Sequence, residues 1–143
     1  MNGWWFAAGC VGLYPLLWAF TARKWKRHAV ALAARRENVG REQFLAMLAG
    51  DCERDVAEFL WDEWLSEWSY WQDGLTPHPD DDFLKDLPID DEGPQDWLEH
   101  YCDGRGLEWR RWTNWDQSQP TTVRNFARWL SNGPASPVAD VAA

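Results

Sequence analysis

The residues able to do chemistry gather between positions 78 and 102. His78, Asp80, Asp82, His100 and Cys102 are all metal-ligand or acid–base types, and Cys52 adds a second thiol. Zinc motifs place their ligands at recognisable spacings. His100-x-Cys102 is not such a spacing, and neither an HExxH pair nor a CxxC pair occurs. A calcium loop places oxygen ligands at alternate positions, whereas Asp80, Asp81 and Asp82 are consecutive, Leu84 and Lys85 interrupt the run, and Gly93 is misplaced. No GxSxG, P-loop or GxGxxG is present. Cys52 and Cys102 sit in no nucleophile motif, and helical cysteines of this kind usually pack. Carboxylates are so abundant that no single pair stands out. The sequence therefore favours a non-enzymatic module with no cofactor, no metal site and no catalytic set. The alternative is a small membrane-bound hydrolase or transferase with its site in the 78–102 region.

The elements that must position these groups belong to a chain of 143 residues, 45% hydrophobic and 26% charged. That length fits one small domain with an appendage and excludes a large multi-domain enzyme. Thirteen Trp are present, and Ile89 is the only Ile, so the core must be built largely from aromatics and Leu. The net charge of −9 argues against binding nucleic acid, whose phosphates require Lys and Arg. Three Cys without a CxxC pair exclude a disulfide scaffold and a zinc ribbon.

Charge divides the chain into zones. Residues 21–41 hold seven basic residues and one acid, residues 42–108 hold twenty acids and three bases, and residues 109–143 hold four Arg and two Asp. Before the basic zone, Gly3 to Ala22 is a run of twenty uncharged residues. At about 1.5 Å per residue such a run spans a hydrocarbon core of about 30 Å. Trp4 and Trp5 stand at one end and Trp18 and Trp25 near the other, where amphipathic rings favour the headgroup level. The expectation is a transmembrane helix over 1–22, followed by a basic juxtamembrane neck over 23–41. Arg23, Lys24, Lys26 and Arg27 flank the run and keep the body cytoplasmic by the positive-inside rule. They can also hold anionic headgroups of the lipid bilayer.

The acidic body, 42–132, reads as helical. Phe44, Leu45, Met47 and Leu48 predict a short helix stopped at Gly50. Asp51 is a candidate N-cap for the next helix, whose stripe runs Val56, Leu60, Trp64, Trp68 and Trp71, with Trp61 on the same side. Trp61, Trp64, Trp68 and Trp71 could line a ligand groove, but the periodicity favours a core face. Residues 76–86 form a loop. Pro94 opens a helix with Trp97, Leu98, Tyr101 and Cys102 as packing positions. Trp109, Trp112 and Trp115 recur at spacings of three in an irregular stretch. A last helix follows Thr121 or Thr122, with Val123, Phe126, Ala127 and Leu130 inward and Arg124 and Arg128 outward. Residues 133–143 read as a disordered tail.

This order of features resembles an acyl carrier protein. The run Asp86-Leu87-Pro88-Ile89-Asp90-Asp91-Glu92, the helix from Trp97 to Cys102, the Gly106-Leu107 step and the Thr122-Val123 helix opening carry the resemblance, over about residues 51–131. The chain is most similar to an uncharacterised bacterial family of acyl-carrier-like sequences that generally lack the carrier serine. Directly after Asp90, where the serine that accepts phosphopantetheine would stand, there is Asp91. The resemblance thus implies a small acyl-carrier-like bundle with no prosthetic arm, so that with the N-terminal transmembrane helix read from the apolar run the expected fold is all-α. It also implies a docking surface of Asp90, Asp91, Glu92, Asp96 and Glu99, continued by Asp103, for a protein partner with a basic patch. The location implied is a bacterial inner membrane, single-pass, with the domain cytoplasmic.

Overall fold

The computed structural model describes the backbone of residues 4–62, 75–87, 92–112 and 114–134, and their side chains except at 4–18 and 25. The chain divides into two compact units, Met1–Glu37 and Asn38–Ala143. Among the described residues helix dominates, and the only β-type pairing is an isolated antiparallel bridge between Asp82 and Thr122.

The first unit is helix α1, Trp4–Arg35, about 48 Å long at 1.5 Å per residue. It runs without a break through the Arg23–Arg27 stretch, whose charged side chains are exposed. The expectation of a membrane-spanning helix over 1–22 is corrected here. Among the described residues, no helix is long and apolar enough to cross a membrane. An uncharged run is not by itself an apolar one. Nine of the twenty positions from Gly3 to Ala22 are Gly, Pro, Trp, Tyr or Thr, which gain little from hydrocarbon, and four cations follow at once.

The second unit holds α2 (Arg41–Leu48), α3 (Arg54–Phe59), α4 (Gly93–Asp103), a 3-10 turn at Trp109–Arg111 and α5 (Val123–Ser131). Helix α2 buries Phe44, Leu45 and Leu48, as the spacing requires. Helix α3 widens into a π-type turn at 60–62, with Val56 and Leu60 fully buried. Asp51 does not cap it: Glu53 holds the N-cap position with no side-chain bond, because the Asp51 carboxylate is drawn to two arginines. Trp61 is half-buried and meets the Phe44 ring at 5.2 Å, on the core side, while Trp64, Trp68 and Trp71 lie outside the described residues. Helix α4 carries Pro94 in its first turn and ends at Gly104, and Gly106 follows with φ +65, a conformation that glycine adopts freely.

Aromatics make the centre, as the shortage of Ile predicts. Phe83, Trp97 and Phe126 meet in edge-on contacts, with centroids at 5.6 Å (Phe83–Trp97), 5.8 Å (Phe83–Phe126) and 5.5 Å (Trp97–Phe126). Each such pair adds about 0.5–1.5 kcal/mol beyond its buried area. Val123, Phe126, Ala127 and Leu130 form the buried face of α5.

Candidate functional site

The loop over 75–87 is anchored to the start of α5. Its Phe83 amide donates to the Thr121 carbonyl at 2.9 Å. In return the first amides of α5 find acceptors in the loop: Val123 N donates to Asp81 O at 3.0 Å and Arg124 N to Pro79 O at 2.7 Å. Asn125 N donates to the Thr122 hydroxyl at 3.2 Å, so the orphan donors of this helix end are satisfied. Pro77 and Pro79 are buried where an unpartnered amide would be costly, and proline has none.

Asp82, nearly buried, is the knot of the loop. Its Oδ1 accepts from the amides of Leu84 and Lys85, both at 3.1 Å, and from the Thr121 hydroxyl at 2.6 Å, while Oδ2 accepts from Lys85 Nζ at 3.0 Å. Its own amide donates to the Asp86 carboxylate at 3.1 Å, a reciprocal arrangement like a capping box. Burial pushes the Asp82 carboxyl up, but the Thr121 and Lys85 hydrogen bonds outweigh it and hold the group below the usual carboxylate value.

Arg124 and Arg128, expected to face outward, instead bind acids far away in sequence. Arg124 donates from Nε and Nη2 to Asp80 at 2.7 and 3.2 Å, and from Nη1 to the Met47 carbonyl at 2.9 Å and to Asp51. Arg128 donates from Nε and Nη2 to Asp51 Oδ1 at 2.8 and 2.6 Å. The Arg124 hydrogen bond lowers the Asp80 carboxyl. At Asp51 burial works upward, and the Arg124 and Arg128 hydrogen bonds together carry the value down. The end of α2, the loop and α5 are thereby joined by one ionic cluster.

The chemical candidates are engaged in structure. His78 Nδ1 accepts from the Asp80 amide at 3.2 Å. His100 lies against the Phe59 ring at 6.0 Å. Cys102 is fully buried, and burial pushes its thiol up to about 11; burial does the same to Cys52, also to about 11. Thiols so poorly ionised near neutral pH are weak nucleophiles. Among the described residues no group of three His, Cys, Asp or Glu side chains could hold a metal ion.

Asp90 and Asp91 lie outside the described residues. Glu92, Asp96 and Glu99 fall with Asp103 at spacings of four, three and four, which places all four on one stripe of α4. The opposite face buries Trp97, Leu98, Tyr101 and Cys102. Arg41, Arg54, Lys85, Arg105, Arg124 and Arg128 all pair with acids outside α4. Among the described residues none of the four α4 carboxylates has an ion pair; Glu99 accepts only from Gln95 at 3.0 Å. No family model, curated protein or solved structure matches this chain.

Proposed function

We propose that the body is a non-enzymatic interaction module that docks a protein partner bearing a basic patch through α4. The observation that carries this reading is the sorting of the acids. Asp51, Asp55, Glu58, Asp62, Asp80 and Asp82 are each held by arginine or lysine, whereas Glu92, Asp96, Glu99 and Asp103 stand in a stripe about 16 Å long with no ion pair among the described residues. Like charges at i, i+4 destabilise a helix by a few tenths of a kcal/mol, and Asp103 also faces the negative end of the helix dipole. A basic surface would relieve both costs and speed encounter. The proposed partner surface includes Asp90 and Asp91, as in the acyl-carrier resemblance. In the same reading Asp91, standing in place of the acceptor serine, leaves the module without a prosthetic arm.

The second element of the proposal is location. Exposed Arg23, Lys24, Lys26 and Arg27 on α1 favour contact with an anionic membrane surface, on the cytoplasmic side of a bacterial inner membrane. The free thiols of Cys52 and Cys102 fit a reducing compartment.

The test is in-cell crosslinking of the full-length protein beside a Glu92→Lys, Asp96→Lys, Glu99→Lys variant whose thermal melt matches the native one. Expected is a stoichiometric partner captured by the native form and lost with the variant and with added salt. A partner captured equally by both forms would overturn the docking face. An activity abolished by changing His78 or His100, with α4 charges irrelevant, would favour the enzyme instead.

A further inference from the structure

A cleft of about 390 Å³ opens beside α4, the 3-10 turn and α5, away from any group discussed so far as chemistry. Its volume falls within the about 300–1,000 Å³ of small-molecule sites. Trp109, Trp112, Trp115 and Trp129 line it together with Phe126. The rings brace one another: Trp115 meets Trp129 edge-on at 5.7 Å, and Phe126 lies 5.5 Å from Trp129. Such a wall is set before any ligand arrives, which lowers the entropy cost of binding.

Among the described residues, three donors around this cleft have no acceptor. The Arg110 guanidinium lies over the Trp109 ring at 4.6 Å and pairs with no carboxylate among the described residues. The indole N–H groups of Trp112 and Trp115 are covered by protein atoms yet donate to nothing, and Trp112 is only 8% exposed. A buried tryptophan normally finds a partner for its N–H, and leaving one unmade costs about 1–3 kcal/mol. An aromatic wall with a cation at its edge that pairs with no carboxylate among the described residues selects a ligand chemistry. The body must be planar and apolar, and the polar end must be an acceptor, preferably anionic. A second cleft of about 370 Å³ shares Pro94 and Trp115 with the first.

We infer that this cleft binds a small planar aromatic acid, its rings among the tryptophans and its anionic group drawn to Arg110. The inference is independent of the α4 docking face, which uses the exposed acids and not the tryptophans.

The test is fluorescence titration of the full-length protein with 1-anilinonaphthalene-8-sulfonate, a planar aromatic anion. The uncharged N-phenyl-1-naphthylamine is run beside it, with near-UV circular dichroism to verify the fold. Expected is saturable one-site binding of the anion, tighter than that of the neutral probe. Arg110→Ala, an exposed position that leaves the fold alone, should weaken the anion at least about fivefold, the value of one cation contact, and leave the neutral probe unchanged. The inference is overturned by binding that does not saturate. It is equally overturned if Arg110→Ala weakens both probes alike, or if it leaves the anion's affinity unchanged.

Discussion

Replacing Asp51 with asparagine keeps the shape of the side chain and removes its charge. Arg124 and Arg128 converge on this carboxylate, which is only 13% exposed. A hydrogen bond to a charged group contributes about 1.5–3 kcal/mol and a neutral one about 1. On the Arg124 side, where the guanidinium is 22% exposed, the substitution forfeits about 1.5 kcal/mol. Arg128 is 52% exposed, so water screens its arm and its loss adds only about 0.5 kcal/mol. Arg124 keeps Asp80 and the Met47 carbonyl, so no cation is stranded, and the total stays near 2 kcal/mol rather than the about 3–5 of a broken buried pair. For a body of this size that is a drop in Tm of about 8–16 °C. The pH dependence has a definite sign. Asp51 is depressed in the folded state, so its contribution is present above the unfolded value near 3.9 and fades as pH falls through the folded value. Calorimetric melts should therefore show the native and Asp51→Asn proteins well apart at pH 7 and converging below about pH 4. Asp62→Asn, which breaks a more exposed pair with Arg41, is the control and should move Tm by under about 3 °C. A native-like melt for Asp51→Asn, or a gap that persists at low pH, would refute the reasoning.

Thr122→Ala should cost about 1 kcal/mol, because it removes the acceptor for the Asn125 amide, and faster hydrogen exchange at that amide reports it directly. With thiols pushed up to about 11, Cys52 and Cys102 should react with iodoacetamide at pH 8 about a hundredfold more slowly than free cysteine. Peptide-resolved mass spectrometry reads each site, and a free-cysteine rate at either would contradict the burial. The full-length protein should sediment with vesicles containing anionic lipid and be released by salt. Changing Arg23, Lys24, Lys26 and Arg27 to Gln should abolish that association, at about 1 kcal/mol per cation, and retention by the variant would count against the surface contact.

Local pattern reaches some of this molecule and not the rest. The buried face of α5 is readable because Val123, Phe126, Ala127 and Leu130 recur at the helical period, and Thr122 is a favoured cap. Arg124 and Arg128 sit on the other face of the same period, which suggests solvent. Their partner Asp51 is 73 and 77 positions away, and no local pattern carries that information. Asp51 itself is a good N-cap type near a helix start, yet two cations compete for its oxygens and win. At the N-terminus, counting charges gave a membrane span where weighing the apolarity of each residue does not. The acids on α4 are visible as a stripe, but their lack of ion pairs among the described residues emerges only once the arginines of the body have been placed. The spacing of Trp109, Trp112 and Trp115 is plain in the sequence, whereas the cleft needs Trp129 from α5 to close its wall.

The ionic cluster also bears on how the chain is made. Asp51, Asp80 and Asp82 wait for partners 73, 44 and 39 positions downstream. At about 5–20 residues per second, the ribosome delivers Arg124 about 4–15 s after Asp51. Until α5 is made, Phe83 lacks the Phe126 ring that it meets in the finished core. The dense negative charge of residues 42–108 is made before α5, and like charge opposes association between chains that still lack that helix.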